Sequence, residues 1–189
     1  ISLSRLALFA QSQALTGLEF AHGIPGSLGG AVFMNAGAYG GEMKQVVQEV
    51  VVLAEDGIRH IPGAECAFGY RKSAFSDGRT VILGAKLHLK KGDPAQIRDK
   101  MAELMAKRKA SQPLEYPSAG STFKRPEGYY AGTLIQETGL KGLTVGGAQV
   151  SEKHAGFVIN TGGATCADVM ALIAQVQDRV MQRSGVHLE

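Results

Sequence analysis

Cysteine, net charge and long apolar runs are all scarce in this sequence, and each scarcity excludes a class of protein. The two cysteines among 189 residues, Cys66 and Cys166, show no CxxC spacing and no histidine at ligand spacing. Neither a disulfide scaffold nor a metal site is predicted, and a reducing compartment, the cytoplasm, fits best. A net charge of +3 is too small to argue for nucleic acid or a membrane surface. No charged segment followed by an apolar one opens the chain, so no secretory signal is read. The longest uncharged stretch, between Glu19 and Glu42, carries seven glycines, Pro25 and Asn35. That is a loop-rich segment and not a membrane span. Internal repeats are absent, and no motif bears on oligomeric state. The chain opens at Ile1 and stops at Glu189 just as an extended segment, Val186-His187-Leu188, begins. Both ends read as cuts through something larger.

What is present is globular: 44% hydrophobic and 20% charged residues. Glycine is in excess at 25 of 189 residues, with no collagen-like period, so it must serve turns and close backbone approaches. Leu3, Leu6, Ala7, Ala10 and Ala14 recur at helical spacing, predicting a helix over 3–15 capped by Ser2. Val46 to Leu53 is a β-branched run closed by the turn Glu55-Asp56-Gly57, with a partner strand at Ile58–Ile61. Alternation from Thr80 to Lys90 predicts a half-buried strand with Val81, Leu83, Ala85, Leu87 and Leu89 on one face. Asp93-Pro94 starts a helix with Ile97, Met101, Leu104 and Met105 on one side. Further on, a short helix over 132–138 stops at Gly139, and extended pieces follow around 144–150 and 156–160. The last helix starts at Thr165, places Met170, Ile173, Val176 and Val180 on its inner face, and ends at Gly185. The class is α+β, with a domain boundary near Gly92.

Four segments could carry chemistry. The glycines of Gly23-Ile24-Pro25-Gly26-Ser27-Leu28-Gly29-Gly30, with Asn35-Ala36-Gly37-Ala38-Tyr39, either make structural turns or let backbone N–H groups approach a phosphate or flat ring. They form neither a Walker A loop nor a dinucleotide fingerprint. Tyr70-Arg71 lies on a loop before a strand. Arg71 is either a surface residue or a planar donor fork for a carboxylate or enolate. Ser121, after Ala119-Gly120 in a proline-bounded loop, is a turn residue or a proton donor, with no nucleophile elbow around it. His154 sits between two short extended pieces, outside any metal pattern.

Taken in order, these segments carry a specific resemblance. GIPGSLGGAVFMNAGAYGGE (23–42), FGYRKSAF (68–75), KRKASQPLEYPSAGSTFKRP (107–126), GLKGLTVGGAQVSEKHAGFVIN (139–160) and GVHLE (185–189) resemble the UDP-N-acetylenolpyruvoylglucosamine reductases, in their shorter type II form. The resemblance covers nearly the whole chain. It implies the C-terminal part of an FAD-binding α+β domain over 1–92, and a smaller α+β substrate-binding domain over 93–184. Residues 185–189 would begin a strand returning to the active site. It also implies a bacterial, cytoplasmic, FAD-dependent enzyme that uses NADPH to reduce a UDP-sugar enolpyruvyl ether for peptidoglycan. Arg71 then matches the family's active-site arginine and Ser121 its proton donor. Gly23, Ile24, Pro25, Gly26, Gly29, Gly30, Asn35, Gly37, Ala38 and Tyr39 match the flavin loop. Tyr70, Lys124 and His154 fall at substrate-contacting positions, and Lys107-Arg108-Lys109 is either complementary to an anionic substrate or a solvated helix end. Two family features are absent: the N-terminal flavin subdomain, and the glutamate two positions past Glu189. The resemblance thus implies an active full-length reductase and an inert piece. The alternatives are another flavin-linked oxidoreductase of the same fold, or a non-catalytic nucleotide-sugar-binding module.

Overall fold

The computed structural model describes residues 1–189. They form two compact units, Ile1–Lys107 and Arg108–Glu189, in the expected α+β class. No helix is long and apolar enough to cross a membrane.

In the first unit, helix α1 (Leu3–Ser12) starts where the Ser2 hydroxyl accepts from the Arg5 N–H, and it buries Leu3, Ala7 and Ala10. Strand β1 (Leu15–Thr16) follows, then helix α2 (Leu28–Phe33), capped by Ser27 through the Gly30 N–H at 3.2 Å. Strands β2 (Gly37–Ala38) and β3 (Gly41–Glu42) close a small antiparallel hairpin. Strands β4 (Val47–Ala54), β5 (Gly57–Pro62) and β6 (Val81–Leu87) form an antiparallel sheet ordered β5-β4-β6. The β4–β5 turn is the expected one, with Ala54 opposite Gly57. Strand β7 (Lys90–Lys91) pairs with β1, and helix α3 (Pro94–Ser111) takes its cap from Asp93, whose carboxylate accepts the Gln96 N–H at 2.9 Å. Val47, Val50 and Val52 join Leu3, Phe20, Val32, Met43, Ile97 and Met101 in the core.

The expected face of β6 requires correction. Val81 and Leu83 are 61% and 52% exposed, whereas Ile82, Ala85 and Leu87 pack on the core. Val51 pairs with Gly84 and Val52 with Ile82, leaving Leu83 as a bulge with no residue opposite. An extra residue in a strand of period two exchanges its faces, so the inward set changes parity at Leu83. Arg108 also departs from a solvated helix end: it is 6% exposed, and its Nη1 donates to Gln112 Oε1 at 3.2 Å.

The second unit holds strands β8 (Ser118–Ser121), β9 (Thr144–Val145), β10 (Ala148–Val150) and β11 (Phe157–Asn160) in one antiparallel sheet ordered β8-β11-β10-β9. Helix α4 (Ala131–Glu137) and helix α5 (Cys166–Ser184) complete it. Thr165 and Asp168 form a reciprocal capping box at the start of α5, and Gly185 ends the helix in the left-handed region at φ 69°. Leu172, Val176 and Val180 are buried with Ile135, Val150 and Leu188. Met170 is 59% exposed, contrary to expectation, and Leu172 takes the inward position. Leu188 is held by Gln177, whose side-chain amide donates to its carbonyl at 2.8 Å.

Candidate active site

The glycines of the first unit divide into two kinds. A Cβ on Gly37 would lie 2.6 Å from the Gly41 carbonyl, and one on Gly41 would lie 2.4 Å from the Phe20 ring. Both are demanded by packing of the β2–β3 hairpin. Gly26 (φ 142°) and Gly40 (φ 83°) face open space, and Gly29 would meet only Ile82 O at 3.9 Å. Those leave backbone uncovered. Gly23 has φ 88°. Ile24 packs partly on the core, Pro25 is exposed, Ala38 is half-buried, and Tyr39 is 44% exposed at φ 53°. Next to Gly23, the Nδ1 atom of His22 is buried and has no hydrogen-bond partner. An orphaned buried donor or acceptor beside an open glycine loop fits a polar ligand such as the phosphates of a flavin nucleotide.

Arg71 is not a loose surface residue. Its backbone holds φ 54° and its Nη2 donates to Gly37 O at 2.9 Å, while its Cζ lies 5.0 Å from the Tyr70 ring centre. Its loop is fastened twice more: Asn35 Nδ2 donates to Gly69 O at 3.0 Å, and Ser73 Oγ donates to Phe33 O at 2.7 Å. Non-glycine residues in the left-handed region cost of order 1–2 kcal/mol each. Of the five that adopt it, Ala14 lies elsewhere, and Asn35, Tyr39, Ala67 and Arg71 lie in the glycine and arginine loops, with the cost least for asparagine. Asn35 itself is fully buried. Glu42 accepts from Asn35 at 2.7 Å and pairs with Lys44 at 2.7 Å. The Lys44 contact holds the Glu42 carboxyl below its ordinary range, helped by Asn35 and the charge of Arg71 and opposed by burial. Glu42 and Ser73 were not visible as members of the site, because nothing local marks a brace.

In the second unit, the β8–β11 register sets Ser121 opposite Phe157, and Thr122 N–H donates to Gly156 O at 2.9 Å. Pairing thereby brings Ser121, which is exposed, beside the His154 turn. The His154 Nδ1 accepts from the Gly156 N–H at 3.1 Å, which puts the ring proton on Nε2 in the neutral form. Burial pushes the imidazole below its ordinary value, and the charge of Lys141 adds to this. The slot is narrow: a Cβ on Gly132 or Gly156 would lie 3.3 Å or 3.1 Å from the imidazole Cε1. Lys124 forms an ion pair with Glu189, which lowers the Glu189 carboxyl. Arg125, which the sequence did not single out, stacks its guanidinium 3.9 Å above the Tyr130 ring centre. No cluster of histidine, cysteine or carboxylate side chains could hold a metal ion.

Comparison with known proteins gives this geometry a class and then a family. Residues 1–61 match the FAD binding domain, so the first unit is that of an FAD-binding flavoprotein. Residues 112–189 match the UDP-N-acetylenolpyruvoylglucosamine reductase, C-terminal domain. The UDP-N-acetylenolpyruvoylglucosamine reductase of Pediococcus pentosaceus is 56% identical over 181 residues, covering 95% of this chain and 60% of its own length. That of Caldanaerobacter subterraneus subsp. tengcongensis is 54% identical over 188 residues, covering 99% and 62%. The crystal structure of the Thermus caldophilus UDP-N-acetylenolpyruvylglucosamine reductase matches with a TM-score of 0.87 at 39% identity, over 98% of this chain and 67% of that one. The chain belongs to the UDP-N-acetylenolpyruvoylglucosamine reductase family. It spans about 60% of the length of the curated relatives it matches.

Proposed function

We propose that the protein carrying this chain is an FAD-dependent, NADPH-using reductase that converts UDP-N-acetylglucosamine enolpyruvate to UDP-N-acetylmuramate in the bacterial cytoplasm. Besides family membership, one observation carries the reading: Arg71 is fixed against the packed β2–β3 hairpin by its bond to Gly37 O. An arginine so held serves a developing negative charge better than a mobile one.

Gly23, Gly26, Gly29 and Gly30, with the Tyr39–Gly40 turn, would hold the flavin nucleotide, and His22 Nδ1 would meet one of its polar groups. When bound, FAD would supply the hydride chemistry that links NADPH to the enolpyruvyl double bond. Arg71 uses its remaining N–H donors to orient the substrate carboxylate and stabilise the charge that grows on the neighbouring carbon. Ser121 Oγ gives that carbon a proton. A serine is a weak acid, so this step depends on proximity and on the basicity of the carbon. Tyr70, Lys124 and His154 would contact the substrate, His154 through a neutral Nε2–H.

The test is made on the protein at its relatives' full length. It should purify with a visible flavin spectrum, and NADPH oxidation should depend on the UDP-sugar enolpyruvyl ether. Reduction of the flavin by an aldonolactone or a hydroxy acid, with no NADPH oxidation in the presence of the enolpyruvyl ether, would assign the chain to a different flavin enzyme.

A further inference from the structure

Arg71 occupies a turn closed on itself: Gly69 N–H donates to Lys72 O at 3.0 Å, and Lys72 N–H returns to Gly69 O at 3.4 Å. A hairpin of four residues so closed still swings as a body unless something outside it holds it. Gly69 O, the carbonyl on which the turn closes, also accepts from Asn35 Nδ2 at 3.0 Å. Asn35 is 0% exposed. Its other amide donation goes to Glu42 Oε2 at 2.7 Å, and its Oδ1 accepts the Lys44 N–H at 2.9 Å. Both donors and one lone pair of the acceptor are therefore committed inside the protein, and burial closes the rest of the side chain to a cofactor. The brace behind it is also held from two sides. Glu42 Oε1 is paired with Lys44 Nζ at 2.7 Å, and the Glu42 N–H donates to Gln45 Oε1 at 3.1 Å. The backbone of Asn35 sits at φ 42°, a conformation asparagine tolerates better than other side chains.

Resting on the reading of Arg71 given above, we infer that Asn35, braced by Glu42, is the positioning residue of Arg71. It sets the height of the Gly69–Lys72 turn above the glycine loop and so the placement of the guanidinium. Asn35 touches neither substrate nor cofactor. Because misplacement of a catalytic group by about 1 Å costs on the order of 10²-fold, the carbonyl anchor and the side-chain bond to Gly37 O act together on one quantity.

A double-mutant cycle at the relatives' full length tests this. Asn35→Gly keeps the backbone free to hold its positive φ while removing the amide. It should lower the rate of substrate reduction by about 10- to 100-fold, with KM for the UDP-sugar and the rate of flavin reduction by NADPH within about threefold. Arg71→Ala should slow the same half-reaction by more. The double variant should be no slower than Arg71→Ala alone, because nothing remains to be positioned. Full multiplication of the two effects, or equal slowing of both half-reactions by Asn35→Gly, overturns the positioning role. An Arg71→Ala protein with normal turnover overturns the reading of Arg71 itself, and the two failures are thus distinct. Should Asn35→Gly not fold, Glu42→Ala, whose side chain reaches solvent, enters the same cycle with the same expected non-additivity.

Discussion

Arg71 and Ser121 would act by different chemistry, one as a donor fork and one as a proton donor, and substitutions should show it. Ser121 would act only where a carbon is protonated, so Ser121→Ala at full length should leave flavin reduction by NADPH intact. Substrate reduction should fall on the order of 10²–10⁴-fold. Stopped-flow traces that slow equally in both half-reactions would remove the serine from that role. Arg71→Lys keeps the charge and loses the planar fork; turnover should fall severely, and near-normal turnover would return Arg71 to an ordinary loop residue. His154 carries a pH prediction. Burial favours its neutral ring, so its folded value lies below the ordinary 6.5. The unfolded chain therefore binds its proton first as pH falls. Stability from this group is complete above about pH 6.5 and is lost as pH drops through the folded value. Thermal midpoints measured across that range should decline, and His154→Gln should flatten the decline. An unchanged slope in the variant would place the dependence on other groups.

At the scale of elements, the β2–β3 hairpin and the start of α2 use glycine for different reasons, and alanine separates them. Gly41→Ala drives a methyl into the buried Phe20 ring, 2.4 Å away, and should destabilise the fold by about 1–3 kcal/mol as overpacking does. Gly29→Ala lies inside α2 with the nearest atom outside the helix backbone 3.9 Å off, and should stabilise by up to about 1 kcal/mol through helix propensity. If the glycine loop holds the flavin, Gly29→Ala should nonetheless weaken FAD binding at full length, as read by titration. Unchanged affinity with raised stability would make Gly29 a helix residue and nothing more.

At the scale of the molecule, each unit has its own buried core, while the matched relatives run well beyond this chain. A ligand as large as FAD is held by enclosure on several sides. The 189-residue chain alone is therefore expected to purify colourless and to leave NADPH unoxidised. Amide exchange should be faster over 23–41, a segment of short elements and open glycines, than in the doubly capped α5. Purification of the isolated chain with stoichiometric FAD would show that these residues suffice for the cofactor.

Local patterns in the sequence were enough for the elements whose signals lie within a turn or two of chain. The caps at Ser2, Asp93 and Thr165, the Gly185 stop and the two-residue turn after Ala54 are short-range chemistry, and each stands where it was read. The ordered motifs were enough for the family, and for the segments in which Arg71, Ser121 and His154 lie. Only the tertiary structure decided the rest. The bulge at Leu83 shows in the pairing of β6 with β4 and not in either strand alone. Arg108 is buried although its neighbours are lysines, and Leu172 rather than Met170 faces inward, because packing partners distant in sequence choose the buried side. The same holds for the glycines, where spacing did not separate Gly41, pressed on Phe20, from Gly26, open to solvent. Asn35 reads as one of the flavin-loop residues until its amide is seen reaching Gly69. Hydrogen bonds across such sequence separations exist only once the chain has folded, and they determine where Arg71 stands.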